Sequence, residues 1–481
     1  MRNANKSLPG LLLGVLDRFL PDGWLTHGLT NTAAQFQADI VGFIQDEVLD
    51  LSYRLLVAYQ FGDPLRLPEN RGTTYTASRY VRLPLPFAPL QEGIAPPGEQ
   101  MTLQQVTVTA QQWGDSVTIT DVAQLTIYHN LFKLGTELVS LQVNETLERN
   151  TFNSLLAGTN VNYANGKTSR ANLVAADTLN NHDVNRSFAV MDNYGVPRFS
   201  GGELKDIFKD VQMYRPVKDM PASQHYVAIV GAIPVQDLRE NALVNNAWVY
   251  NDTAKLYNNE IGDWGGFRWT TSNMIPYWTG VAQINPVASA AGGNLATGNY
   301  FVIVTASPAL TSVEQSIYQV SNSTAVVGPT GSLSVALPAK AGYVFNVYVG
   351  TTSAPATLGL CALGPGVGAL AGQATQLAGN QTVIITGIGA AQTPPAAPAT
   401  GVTVWPTFLI GKHAYGQVVL SDPEFFYLTG ADKSDRLNQT KVIGWKLFYG
   451  TILLNQNFFL RLESASSFSP NPDSGAFSIV N

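Results

Sequence analysis

The chain has 481 residues and a formal net charge of −6, with only 13% charged and 45% hydrophobic residues. An average soluble domain carries about 25% charged residues. The composition excludes a disordered chain, and its acidic balance excludes a protein whose main task is gripping phosphates, which carries a basic face. The single cysteine, Cys361, excludes an internal disulfide and a cysteine-built zinc site. The five histidines are far apart, with no metal-ligand spacing. No apolar run approaches the ~18 residues of a membrane span. At ~150 residues per domain, about two to four domains are expected.

In chain order, Leu11, Leu12, Val15, Leu16 and Phe19 fall on one face of a short amphipathic helix, which fits better than a signal peptide because Pro9 breaks the run. Phe36, Ile40, Ile44, Val48 and Leu51 predict a second helical stretch over 31–60. Residues 62–100 hold Pro64, Pro68, Pro84, Pro86, Pro89, Pro96 and Pro97, which excludes a helix or a central strand. Alternation then starts at Leu103, Val106 and Val108 and resumes at Val117 and Ile119, so 71–119 reads as an extended arm that goes out and returns. Asp121 is a plausible helix cap.

Residues 131–158 give the strongest helix signal, with a stripe opening at Leu131, Leu134, Leu138 and Leu141 and a terminator at Gly158. Such a helix is roughly 40 Å long and needs a long surface to lie on. Glu137, Glu145 and Glu148 share it, on a face read as exposed and facing solvent or a partner. His182 and Asp183 sit in an Asn-rich stretch that reads as a solvated turn, since no nucleophile or oxyanion site accompanies them. Residues 202–214 and 235–242 read as helices and 225–230 as a buried strand.

Between Arg268 and Lys412 the only charged side chains are Glu314 and Lys340. Over 285–402 the chain is rich in small and hydroxyl residues, with strand alternation at Tyr300, Val302 and Val304 and at Tyr343, Phe345, Val347 and Val349. A β-sandwich inserted into a host domain is expected, closed by Pro394, Pro395 and Pro398. Its glycine run at 364–368 (GPGVG) reads as a sandwich loop, with no helix or basic residue to make a phosphate site. The chain ends in an apparent hairpin, 442–447 with 451–462. No hydrolase, zinc-protease or phosphate-loop motif occurs. Low charge, no catalytic motif and long elements that cannot bury themselves point to a structural, self-associating protein.

One ordered set of motifs goes further. It comprises 92–98 (EGIAPPG), 106–115 (VTVTAQQWGD), 119–121 (ITD), the long helix, 157–160 (AGTN) and 163–166 (YANG). It continues with 226–230 (YVAIV), 259–262 (NEIG), 265–269 (GGFRW), 411–416 (GKHAYG), 437–440 (LNQT) and 442–446 (VIGWK). In this order the chain resembles the major capsid proteins of tailed bacteriophages, in particular the coat family of N-four-like podoviruses, over roughly 71–280 and 403–465.

The resemblance implies an α+β fold of the Hong Kong 97 type. It has an N-terminal arm at 1–70, an extended E-loop at 71–115 and a P-domain at 116–200 with its spine helix at 131–157. An A-domain lies at 201–284 and 403–437, and the return strands and tail lie at 438–481. The segment 285–402 departs from the minimal pattern; 343–352 (YVFNVYVGTT) is similar to a strand of an immunoglobulin-like sandwich, expected on the outer surface and removable without loss of assembly. The implied partners are copies of the chain itself in hexamers and pentamers, portal, scaffold and decoration proteins, and enclosed double-stranded DNA. The implied location is the virion, assembled in the bacterial cytoplasm, with no membrane, no cofactor, no metal and no catalysis. Inter-subunit contacts are expected at Arg79, Arg82, Glu92, Glu99, Glu137, Glu145, Glu148 and Arg149. Two other readings stay open: a tail or surface-fibre protein, and a carbohydrate-active enzyme with a sandwich accessory domain.

Overall fold

The computed structural model describes residues 30–31, 56–68, 72–81, 83, 85, 98–127, 131–199, 225–241, 260–308, 314–340, 343–363, 377–428 and 439–469. The helices expected at 11–19 and 202–214, nearly all of that over 31–60, and the glycine run at 364–368 lie outside the described residues. The chain divides into two units, one of Met1–Ser52, Gln112–Val143 and Ser421–Leu447, the other of Tyr53–Gln111, Asn144–Leu420 and Phe448–Asn481.

In the first unit, β1 (Thr30–Asn31), β5 (Gln111–Thr120), β22 (Thr440–Leu453) and β21 (Tyr415–Leu428) follow one another in hydrogen-bonded order, β1 running parallel to β5. Helix α1 (Asp121–Thr126) begins as β5 ends. Its cap is Thr120, one residue before the expected Asp121: the Thr120 hydroxyl oxygen accepts the Ala123 N–H at 3.2 Å. The first half of α2 (Leu131–Leu156) approaches the strands closely at Gly135, where a Cβ would lie 3.0 Å from Ile443 Cδ1 and 3.5 Å from Ile119 Cδ1. Gln142 on α2 accepts the Trp445 indole N–H at 2.9 Å and donates to Asp115 at 2.6 Å, so one side chain ties the helix to β22 and β5.

The buried stripe of α2 is not the predicted one. Leu131, Gly135, Val139, Val143, Leu147, Thr151 and Leu155 are buried, whereas Leu138 is 41% exposed. Steps of four residues advance 400°, so the stripe winds around the helix by about 40° per step. A leucine count follows one straight face and misses that winding.

The second unit is built on a sheet whose central path runs β10 (Trp278–Val281), β20 (Thr403–Ile410), β7 (Tyr226–Gly231), β9 (Phe267–Ser272) and β8 (Glu260–Trp264). Every residue of β7 and β20 is buried, as strands covered on both faces require. The alternation separates two cores. Val227, Ile229, Phe408 and Ile410 face Phe152 and Leu155 of α2, and Tyr226, Ala228, Val230 and Leu409 face Met191, Leu238 and Trp269. Pro406 lies inside central β20, a position that normally excludes proline. On one side of β20, β10 pairs up to Val404 and β7 starts at Phe408, so the missing N–H falls where one neighbour gives way to the next.

The expected C-terminal hairpin does not form. β22 continues unbroken to Leu453, and β23 (Phe459–Ser464) pairs instead with β20 and, in parallel, with β6 (Val161–Tyr163). Gly158 follows the end of α2 as predicted, and a Cβ there would lie 2.5 Å from the Phe459 ring.

The segment 285–402 forms strands, as expected, with a core of its own that includes Val302, Val304, Val335, Phe345, Val347 and Ile385. It is not a free-standing module. Its strand β13 (Ser316–Tyr318) pairs in parallel with host β10 and antiparallel with β12 (Gly298–Pro308), so one hydrogen-bonded path leads from insertion to host. A further core mixes Ile303, Ile317, Tyr348 and Leu358 of the insertion with Ala164, Leu173, Trp278, Val404 and Ala465 of the host.

Candidate assembly surfaces and their anchors

The arm is a two-stranded ribbon. β3 (Thr74–Tyr80) and β4 (Leu103–Thr109) pair antiparallel from Thr74 with Thr109 to Tyr80 with Leu103. Main-chain bonds extend the ladder at both ends, Ala110 N–H to Thr73 at 2.8 Å and Val81 N–H to Thr102 at 2.9 Å. Tyr75, Ala77, Val106 and Val108 are half-buried, and Val108 and Ala110 lie against Gly450. Towards the tip both faces open: Tyr80 and Met101 are each 70% exposed and Leu85 79%, with Leu83 and Leu103 also exposed. An isolated two-stranded ribbon is marginal in water, and contiguous exposed apolar side chains mark an interaction site.

The first unit carries a second apolar surface. Val122 and Leu125 of α1, Leu138 of α2, and Phe425, Phe426, Tyr427 and Leu428 at the end of β21 are all exposed. Strand alternation hides every second side chain of a half-covered strand. Four exposed in a row mean that this strand end is open on both faces. Lys446 lies 3.2 Å from Glu424, and its ammonium sits 4.8 Å over the Phe426 ring.

Of the residues expected at inter-subunit contacts, Arg79 is exposed on β3 and donates to Gln104 at 3.1 and 2.9 Å, across the ribbon. Glu99 and Glu137 are exposed, and Glu145 and Arg149 half-buried. Arg82 and Glu92 lie outside the described residues. Glu148 is corrected: it is fully buried, its carboxylate accepting the N–H groups of Val57, Ala58 and Tyr59 at 3.1, 2.8 and 3.1 Å. It sits one position beyond Leu147, on the inward-winding stripe, and so faces the interior. The apolar residues of the ribbon tip and of 425–428 escaped sequence reasoning, although the run of four large apolar residues after Glu424 was a visible signal.

Two further anchors involve charge. Glu463, fully buried, accepts Arg170 at both oxygens (2.8 and 2.7 Å) and Arg461 Nε at 2.9 Å. Burial is the first cause that pushes the Arg461 pKa down. Asp183 lies not in a solvated turn but in the first turn of α3 (Asn181–Asn193), capped by Asn180. Its buried carboxylate accepts the Asn165 N–H at 3.2 and 3.0 Å, and burial raises its pKa. No group of three or more His, Cys, Asp or Glu side chains among the described residues is placed to hold a metal ion. None of their helices is long and apolar enough to cross a membrane.

No family model matches the chain, and no curated protein matches it. Several solved structures are similar to it. The capsid of Ralstonia phage GP4 covers 90% of this chain and 97% of its own, at 11% identity and a TM-score of 0.45. The head structure of Helicobacter pylori bacteriophage KHP40 covers 92% and 98%, at 8% identity and 0.46. The cyanophage Pam1 capsid asymmetric unit covers 92% and 100%, at 10% identity and 0.44. These likenesses concern the course of the chain.

Proposed function

We propose that this chain is the major coat subunit of a tailed bacteriophage, self-assembling into a closed shell around double-stranded DNA, with the Hong Kong 97-type arrangement that its motif order resembles. In this reading the β3–β4 ribbon is the E-loop, α2 the spine helix, and the segment 285–402 an immunoglobulin-like insertion. Hexamers and pentamers of the chain make the shell, and portal, scaffold and decoration proteins are its further partners.

The observation that carries the reading is the ribbon. Its outer half exposes Tyr80, Leu83, Leu85, Met101 and Leu103, a cost that a neighbouring copy would remove. A shell of repeated chains needs many modest interfaces, and an outstretched ribbon supplies one without a core of its own. The net charge of −6 suits a container that holds DNA without gripping it. Deleting 75–105 tests the reading. The shortened chain should fold and remain in small species, whereas normal shells in electron micrographs would refute it.

A further inference from the structure

Residues 57–61 sit in a socket within the second unit. Val57, Ala58 and Phe61 are buried in one core with Phe152 and Leu155 of α2 and Tyr415 of β21. The main chain of this short segment is held on both sides. Its N–H groups at Val57, Ala58 and Tyr59 donate to Glu148. The Tyr415 hydroxyl donates to the Ala58 carbonyl, and the Gln417 amide to that of Tyr59.

Every printed bond to the Glu148 carboxyl is a neutral amide, and the side chain is fully buried. The titratable groups around it give little relief. Tyr59 and Tyr449 lie with ring centroids 6.1 Å apart. Tyr415 faces it from β21, with Asp63 near that tyrosine and bonded to His413 Nδ1 at 2.7 Å. Glu145 and Arg149 flank it on its own helix. A buried carboxylate so placed carries a desolvation cost that amide bonds offset only in part. Burial pushes its pKa up to about 7, from an ordinary 4.5.

We infer that Glu148 is a proton-controlled latch, which holds residues 57–61 in their socket while neutral and loosens them once ionised. The sign follows from linkage. The docked segment binds the proton more tightly than the released one, so docking is strongest below pH 4.5 and weakens as pH rises towards about 7. Above that pH both states are ionised and the effect levels off. The latch sits where the preceding chain joins the second unit, and the inference stands whether or not the chain is a coat subunit.

Hydrogen exchange on the full-length protein, in the form in which it is purified, tests it. Peptides covering 56–61 and, as a control, 226–231 are followed from pH 5 to 9, corrected for intrinsic exchange. Opening of 56–61 should rise about tenfold between pH 6 and 8 and then flatten, while 226–231 stays unchanged. Glu148→Gln should abolish the rise. Opening that is constant or falls with pH, an equal rise in both peptides, or a Glu148→Gln protein that follows the wild type would overturn the latch. If the variant does not fold, the comparison of the two wild-type peptides decides alone.

Discussion

The Arg170 guanidinium sits over the Trp278 indole, its central carbon 3.5 Å from the ring centroid. Trp278 opens β10, the last host strand before the insertion. Arg170 also donates to the Ala396 carbonyl, in the proline-rich stretch where the insertion returns, at 3.2 Å. One side chain therefore braces both stems of the insertion, and Glu463 holds that side chain in place.

The first prediction concerns this brace. Glu463→Ala leaves two buried guanidiniums without their carboxylate, and breaking a buried pair from one side costs about 3–5 kcal/mol. Arg170→Met, which keeps apolar contact with Trp278, should cost less. Urea unfolding of both variants checks the order, and a Glu463→Ala midpoint equal to the wild type would contradict it.

The second prediction reverses the sequence-based expectation for the insertion. Removing 285–402 strips Ile303, Ile317, Tyr348 and Leu358 from a core shared with Trp278 and Val404. It also frees the β10 edge that pairs with β13. Such a deletion should lower the yield of folded chain sharply rather than leave assembly intact. Recovery of wild-type amounts with wild-type thermal stability would show that the shared core is dispensable.

The third prediction uses three glycines. A Cβ at Gly114 would lie 2.6 Å from the Trp445 carbonyl oxygen, and one at Gly158 would lie 2.5 Å from the Phe459 ring, whereas nothing lies within 4 Å at Gly98. Alanine at 114 or 158 should destabilise by about 1–3 kcal/mol. Alanine at 98 should stay within about 0.5 kcal/mol of the parent. Thermal unfolding of the three proteins checks the contrast.

The fourth prediction concerns covalent sealing. No lysine lies between Lys6 and Lys133, so the whole ribbon has none. Particles boiled in detergent should run as single chains, without the lysine–asparagine ladders that the fold's founding member would give. A ladder of multiples would contradict this.

The sequence was most informative where pattern is local. The arm that goes out and returns, the bounds of α2, and the buried strand β7 all follow from periodicity and punctuation. It was least informative where burial depends on distant partners. Glu148 reads as a surface carboxylate until Val57–Tyr59 are brought to it, and His182 and Asp183 read as a turn until Asn180 caps α3. Residues 451–462 read as one returning strand, but β23 is claimed by β20 and β6. The insertion reads as separable because its composition changes abruptly, while the β10–β13 pairing and the shared core leave no mark in composition.

The central claim is that copies of this chain complete one another. Sedimentation velocity of the purified full-length protein over a range of concentrations, with micrographs of the fastest fraction, tests it most directly. The account predicts capsomer-sized or larger closed species at the highest concentrations. A single species of monomer mass throughout, with the 74–109 ribbon folded back against its own body, would contradict it.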